Sequence, residues 1–179
     1  MKPKVKVYKV KVYIDGANMF YTQKKLEWFF DWKKIKDYLR EKWDILEIRY
    51  YTGIKSDDEK MASFLRYLDN VGITSITKPI KIIKISNNHP LKQFYRYSEM
   101  YKSNCDVEIT TDILLERKEI DEIILFSGDS DFQYLIKRLK DLGKKVIIFS
   151  SRKTISWEIK LEASEYFYLE DIKNQIVRE

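Results

Sequence analysis

Two carboxylates separated by one serine, Asp129 and Asp131, sit in the run Ile123-Ile124-Leu125-Phe126-Ser127-Gly128-Asp129-Ser130-Asp131-Phe132. On its own, Gly-Asp-Ser-Asp is most often a turn whose polar side chains cap the next helix. A second stretch of the same design shifts that reading. Residues 4–14 run as a strand into Asp15-Gly16-Ala17-Asn18, again a carboxylate and a glycine turn after apolar residues. Two further acids, Asp106 and Asp112, lie on the helix expected over 105–117. A place near a helix N-terminus explains Asp106 easily and Asp112 less well. Clustered carboxylates raise one another's pKa unless a positive charge sits among them. A hard divalent cation with oxygen ligands, Mg²⁺ or Mn²⁺, meets that need. Such a centre polarises a phosphate and generates hydroxide for an in-line displacement.

The rest of the composition narrows the chemistry by exclusion. His89 is the single histidine, so neither a two-histidine metal-free nuclease nor an H-E-x-x-H zinc site fits. Cys105 is the single cysteine, which excludes a disulfide framework and a cysteine-rich zinc site and implies a reducing, cytoplasmic setting. With 34 basic against 28 acidic residues the net charge is +6, which favours a polyanionic partner. No apolar window is long enough to span a membrane. The basic start Met1-Lys2-Pro3-Lys4 is interrupted by Lys6, Lys9 and Lys11 and does not read as a signal peptide. At 179 residues, 44% of them hydrophobic, the expectation is one domain over 1–179 with a core of about 10–170.

The elements that must position the acids follow from periodicity. Four apolar residues at 123–126 suit a strand buried on both faces. Gly128 is expected to let the chain turn, and Ser130 or Asp131 to cap a helix over 131–142. The first strand should carry a bulge or break near Tyr8-Lys9, where its alternation changes phase. Helices are expected at 32–42, capped by Asp31, and at 58–70, stopped by Gly72. Strands are expected at 45–51, 73–77, 80–85 and 145–149, with 53–58 a loop. Residues 156–163 read as a short helix, 166–168 as a short strand, and 169–177 as a terminal helix. Strands alternating with helices predict a parallel α/β sheet. If strand order reverses between the first strand and the one at 122–127, Asp15, Asp129 and Asp131 open onto one crevice.

Two basic stretches are candidate RNA surfaces. The Lys-interleaved segment 78–85, with Lys81 and Lys84, reads equally as a phosphate-binding ribbon or as an edge strand protected by lysines. In 86–104, Lys92, Arg96 and Lys102 lie among Phe94, Tyr95, Tyr97 and Tyr101. Aromatic rings there could stack on bases, and the competing reading is a loop packed on the body.

Asp15-Gly16-Ala17-Asn18, Cys105-Asp106-Val107 with Asp112, and Ser127-Gly128-Asp129-Ser130-Asp131-Phe132 come in the order of the NYN domain, the LabA-like branch of the PIN-like nuclease superfamily. The chain resembles that family over roughly residues 10–170, including Tyr50-Tyr51-Thr52-Gly53, Lys78-Pro79-Ile80 and Gly143-Lys144-Lys145-Val146. The resemblance implies a PIN-like three-layer α/β/α fold with a mostly parallel sheet ordered 3-2-1-4-5. It implies Mg²⁺- or Mn²⁺-dependent ribonuclease activity on single-stranded RNA, although some members are thought to bind RNA without cutting. Carried over by position, Asp15, Asp106, Asp129 and Asp131 are the catalytic and metal-binding acids. Asp112 matches a further acid. Asn18 would orient Asp15 or contact substrate, and Ser127 and Ser130 would hydrogen-bond the carboxylates. Ser103 and Asn104 stand where members often carry lysine and glycine, and Ala163-Ser164 replaces Ala-Asp.

The reading is therefore a metal-dependent endoribonuclease that holds RNA through Lys81, Lys84, Lys92, Arg96 and Lys102. The rival from another class is a non-cleaving RNA-binding or assembly module. A phosphomonoesterase fits less well, because an aspartyl nucleophile needs Asp-x-Asp directly after the first strand and this chain has Asp15-Gly16-Ala17. A homodimer stays open.

Overall fold

The computed structural model describes residues 8–84 and 99–179, with side chains for 8–81 and 103–179. The part of the expected first strand before residue 8, Lys92 and Arg96 lie outside the described residues, as do the side chains of Lys84 and Lys102.

Six parallel strands form the central sheet: β1 (Val10–Asp15), β2 (Ile45–Ile54), β3 (Thr74–Pro79), β6 (Glu122–Phe126), β7 (Lys145–Ser150) and β8 (Glu165–Tyr168). Their order is β3-β2-β1-β6-β7-β8. This is the expected 3-2-1-4-5 arrangement with a sixth strand at one edge. The PIN-like α/β/α architecture follows from residues that alternate along strands buried on both sides. In β6, Ile124 and Phe126 join the core on one face, and Ile123 and Leu125 join the core on the other. The first face is covered by α1 (Gly16–Leu26), α2 (Trp32–Lys42), α3 (Glu59–Val71) and the C-terminal segment. The second is covered by α4 (Asp106–Glu116), α5 (Gln133–Asp141) and α6 (Trp157–Glu162).

Strand order reverses at β1, which pairs with β2 on one side and β6 on the other. Ile14 lies opposite Phe126, so Asp15 and Ser127 leave the sheet side by side. Just inside that edge, Phe126, Phe149 and Phe167 are in register on three strands and stack at 4.7 and 5.0 Å. These cross-strand pairs hold the floor beneath the Ser127 turn.

Several elements differ from expectation for identifiable reasons. No turn follows Asp15, because α1 starts at once with Asp15 as its N-cap. α1 is hidden in the sequence because its buried face includes polar side chains. Thr22 bonds Thr154 at 2.9 Å, and Gln23 accepts from the Phe30 amide at 2.7 Å. The register irregularity of β1 falls between Val10 and Lys11, just beyond the expected Tyr8-Lys9. β2 continues through Gly53 to Ile54, because β3 pairs with it along that length. The stretch expected as a loop at 86–104 contains β5 (Glu99–Lys102), which pairs antiparallel with β4 (Lys81–Lys84). The C-terminal segment is a 3₁₀ turn (Leu169–Ile172) and a short helix α7 (Lys173–Ile176). A longer helix is prevented because Val177 bridges Phe30 and the Arg178 amide bonds the Phe29 carbonyl.

Candidate metal centre

Asp129, not Ser130 or Asp131, caps the turn after β6. One of its carboxylate oxygens accepts from the Asp131 amide at 3.0 Å, closing a 3₁₀ turn (Ser130–Phe132) before α5. Gly128 is needed for closeness, not for a left-handed backbone. A Cβ there would lie 2.3 Å from the Thr154 carbonyl oxygen. Gly16 has the same cause, since its Cβ would meet the Tyr51 carbonyl oxygen at 2.6 Å. Both glycines let neighbouring chain pack directly against the segments that carry the acids.

The two acidic stretches are stapled together. Ser127 Oγ donates to Asp15 Oδ2 at 3.1 Å and accepts from the Asp129 amide at 3.2 Å. Asp15 Oδ1 accepts from the Asn18 amide at 3.1 Å, and Asn18 Oδ1 accepts from the Gly128 amide at 3.0 Å. Asn18 therefore ties α1 to the Gly128 turn as well as orienting Asp15. Ser130 is exposed and opens the 3₁₀ turn.

Asp106, at the start of α4, completes the approach. One carboxylate oxygen each from Asp106, Asp129 and Asp131 lie within 4.8 Å of one another. Asn104, one of the two departures from the family pattern, accepts from the Asp106 amide at 2.8 Å and holds that helix start. Burial raises the Asp106 pKa, and the Asp129 and Asp131 charges add to the rise. Asp15 is 4% exposed, and burial lifts its carboxyl to about 6, with Asp106 and Asp129 contributing and the bonds from Asn18 and Ser127 opposing. Among the described residues no salt bridge reaches any of these four acids. The donor set is oxygen only. Two oxygens facing each other across an octahedral Mg²⁺ stand about 4.2 Å apart, so the spread of the three acids is close to what one such ion spans. The burial, the mutual repulsion and the donor type all fit a hard cation.

Asp112 is placed elsewhere, in a network that sequence reasoning missed. It accepts from Tyr51 at 2.8 Å and from Arg49 at 3.3 Å. Arg49 also grips Glu47 through two bonds of 2.8 Å and pairs with Glu116 at 2.7 Å. Lys11 and Tyr13 bond Glu116 at 3.1 and 2.9 Å. Glu47 and Arg49 alternate on one face of β2, and Asp112 and Glu116 are one helical turn apart, which was the available signal. The network anchors α4, and with it Asp106, to the sheet. Arg49→Met leaves Asp112 with the Tyr51 hydroxyl and leaves Glu47 and Glu116 sharing Lys11, and the expected cost is about 2 kcal/mol at pH 7. Arg49 holds the Glu47 pKa below its ordinary value. Burial of Glu116 raises its pKa, but bonds from Lys11, Tyr13 and Arg49 outweigh that and leave it lowered. These contributions are present above the ordinary glutamate pKa and are lost as pH falls through the lowered values. The difference in Tm between wild type and variant should therefore shrink on acidification. An unchanged difference at pH 3 would remove the ionic explanation.

Of the candidate RNA contacts, Lys81 is exposed and its backbone stands opposite Lys102 in the β4–β5 hairpin. Lys78, at the end of β3, pairs with Glu108 at 2.9 Å. Burial pushes the Cys105 thiol up to about 11, so it is not a nucleophile at neutral pH.

The NYN domain family model matches residues 9–170. The chain is 33% identical over 167 residues to the low amplitude and bright protein LabA of Synechococcus elongatus, covering 92% of this chain and 86% of that protein. The fold is similar to a crystal structure of a protein of unknown function from Vibrio parahaemolyticus, with a TM-score of 0.75. That pair is 22% identical, covers 99% of this chain and all of the other, and shows the fold alone.

Proposed function

The chain belongs to the NYN domain family, a nuclease-like family, and from that premise we propose that it is a metal-dependent endoribonuclease acting on single-stranded RNA. The observation that carries the reading is the convergence of Asp106, Asp129 and Asp131 within 4.8 Å beside buried Asp15, in a protein of net charge +6. Asp106, Asp129 and Asp131 hold the cation, Mg²⁺ or Mn²⁺, and Asp15 completes the set. When bound, the cation polarises the scissile phosphate and supplies hydroxide. Ser127 and Asn18 keep Asp15 aimed, and the Asp131 amide does the same for Asp129. Lys81, Lys84 and Lys102 on the hairpin, with Lys92 and Arg96 in the sequence that joins β4 to β5, hold the RNA backbone. The protein acts in the cytoplasm as one domain over 1–179, a setting in which its single cysteine, Cys105, stays reduced. Among the described residues no helix is long and apolar enough to cross a membrane.

A circular single-stranded RNA tests the reading, because only an endonuclease can open it. In Mn²⁺ the protein should linearise the circle, and EDTA should stop the reaction. A circle that is bound but stays closed in Mg²⁺ and in Mn²⁺ would replace the proposal with the non-cleaving RNA-binding module.

A further inference from the structure

α4 and α5 flank β6 in sequence, and both begin at the carboxylate cluster. α4 runs away from Asp106 to reach the start of β6, and α5 runs away from Asp131 after the strand ends. The two helices therefore descend the same face of the sheet in the same direction. Between them lies a groove of about 560 Å³ with Asp131 at its head. Arg138 stands seven residues further along, a distance of about 10 Å on a helix, with Arg117 across from it at the end of α4. Leu114 lines the groove, and Tyr134 and Leu142 border it while remaining 73% and 50% exposed.

An exposed tyrosine and a half-exposed leucine thus stand beside two guanidinium groups. Arg117 donates to the Leu114 carbonyl, and Arg138 pairs with Asp141 at 3.2 Å across two half-exposed side chains. An exposed pair of that kind is weak, and each guanidinium has five N–H donors. Aromatic and apolar surface accepts the face of an unpaired base, and guanidinium groups hold phosphates. A duplex keeps its base faces stacked away, so the fit is to a single strand. We propose that the α4–α5 groove seats the segment of single-stranded RNA adjoining the scissile phosphate, with a base stacked on Tyr134 and phosphates held by Arg117 and Arg138. This rests on the ribonuclease reading and adds a second surface to the β4–β5 hairpin.

The test is fluorescence anisotropy of a labelled single-stranded oligoribonucleotide of mixed sequence with the full chain, without divalent ions so that nothing is cut. Tyr134→Ala should weaken binding about tenfold, and Tyr134→Phe should retain wild-type affinity. Arg117→Gln with Arg138→Gln should flatten the dependence of log affinity on log salt by about 1.4. Mn²⁺ binding by calorimetry should be unchanged in all of them. Wild-type RNA binding that none of these variants alters overturns the groove and leaves the ribonuclease reading standing. No RNA binding by wild type overturns the groove, and opening of the circular RNA in Mn²⁺ decides the ribonuclease reading separately. Sedimentation showing a dimer that Tyr134→Ala dissociates would instead give the groove to a second copy of the chain.

Discussion

Asp129→Asn should bind Mn²⁺ at least about 100-fold more weakly than wild type and should cut RNA on the order of 10²–10³ times more slowly. The substitution separates the two jobs of that carboxylate. One oxygen accepts the Asp131 amide and shapes the 3₁₀ turn, and the asparagine carbonyl can do this equally well. The negative charge belongs to the cluster with Asp106 and Asp131, and the amide does not carry it. The fold should therefore survive, with a metal-free Tm within about 2 °C of wild type, since the turn is kept and the side chain is only partly buried. Calorimetry, the circular RNA assay and thermal melts together decide the matter. Unaltered Mn²⁺ binding would return Asp129 to the role of a turn residue and nothing more.

Asp15→Asn should also stop cleavage, but it should make the metal-free protein more stable at neutral pH. Burial is the main reason that the Asp15 carboxyl titrates at about 6 in the fold, against 3.8 for the ordinary group. The folded state thus holds this proton more tightly than the unfolded chain does. Stability from this group is greatest below 3.8, falls as pH rises from there to about 6, and stays low above. Asparagine never ionises, so the variant escapes that loss, which amounts to about 3 kcal/mol by pH 7.5. Its metal-free Tm should exceed that of wild type by roughly 5 °C or more at pH 7.5, and the gap should close by pH 4. A cation restores what ionisation costs, so Mn²⁺ should raise the Tm of wild type much more than that of the variant. For the same reason Mn²⁺ affinity of wild type should climb between pH 5 and 7, with protons released on binding. A variant that melts lower than wild type at both pH values would show that the hydrogen bond from Ser127 outweighs the buried charge.

Much of this was legible in the chain before its structure. β6 announces itself because Ile123 to Phe126 are apolar without a break, as a strand covered on both faces must be. α2 and α3 carry their own caps, Asp31 and Asp58, and a regular apolar stripe. Asp15, Asp129 and Asp131 stand out because each follows a run of buried strand. Asp106 was reached mainly through the resemblance to NYN domains, since an acid at a helix start has an ordinary explanation of its own. α1 was not legible, because Thr22 and Gln23 on its inner face are satisfied by Thr154 and the Phe30 amide, and a distant partner leaves no trace in local periodicity.

What the sequence by itself determined is therefore the parallel α/β class, most element boundaries and the acid types available for a metal. Only the tertiary structure decided which acids meet. The pairing of Ile14 with Phe126 brings Asp15 beside Ser127, and the packing of α4 on the sheet delivers Asp106 to Asp129 while turning Asp112 toward Arg49. Asp106 and Asp112 look alike along the chain, but they are six residues apart on a helix with 3.6 residues per turn. That rotation, together with the height of each on the helix, sends one acid to the sheet edge and leaves the other over the face of β2.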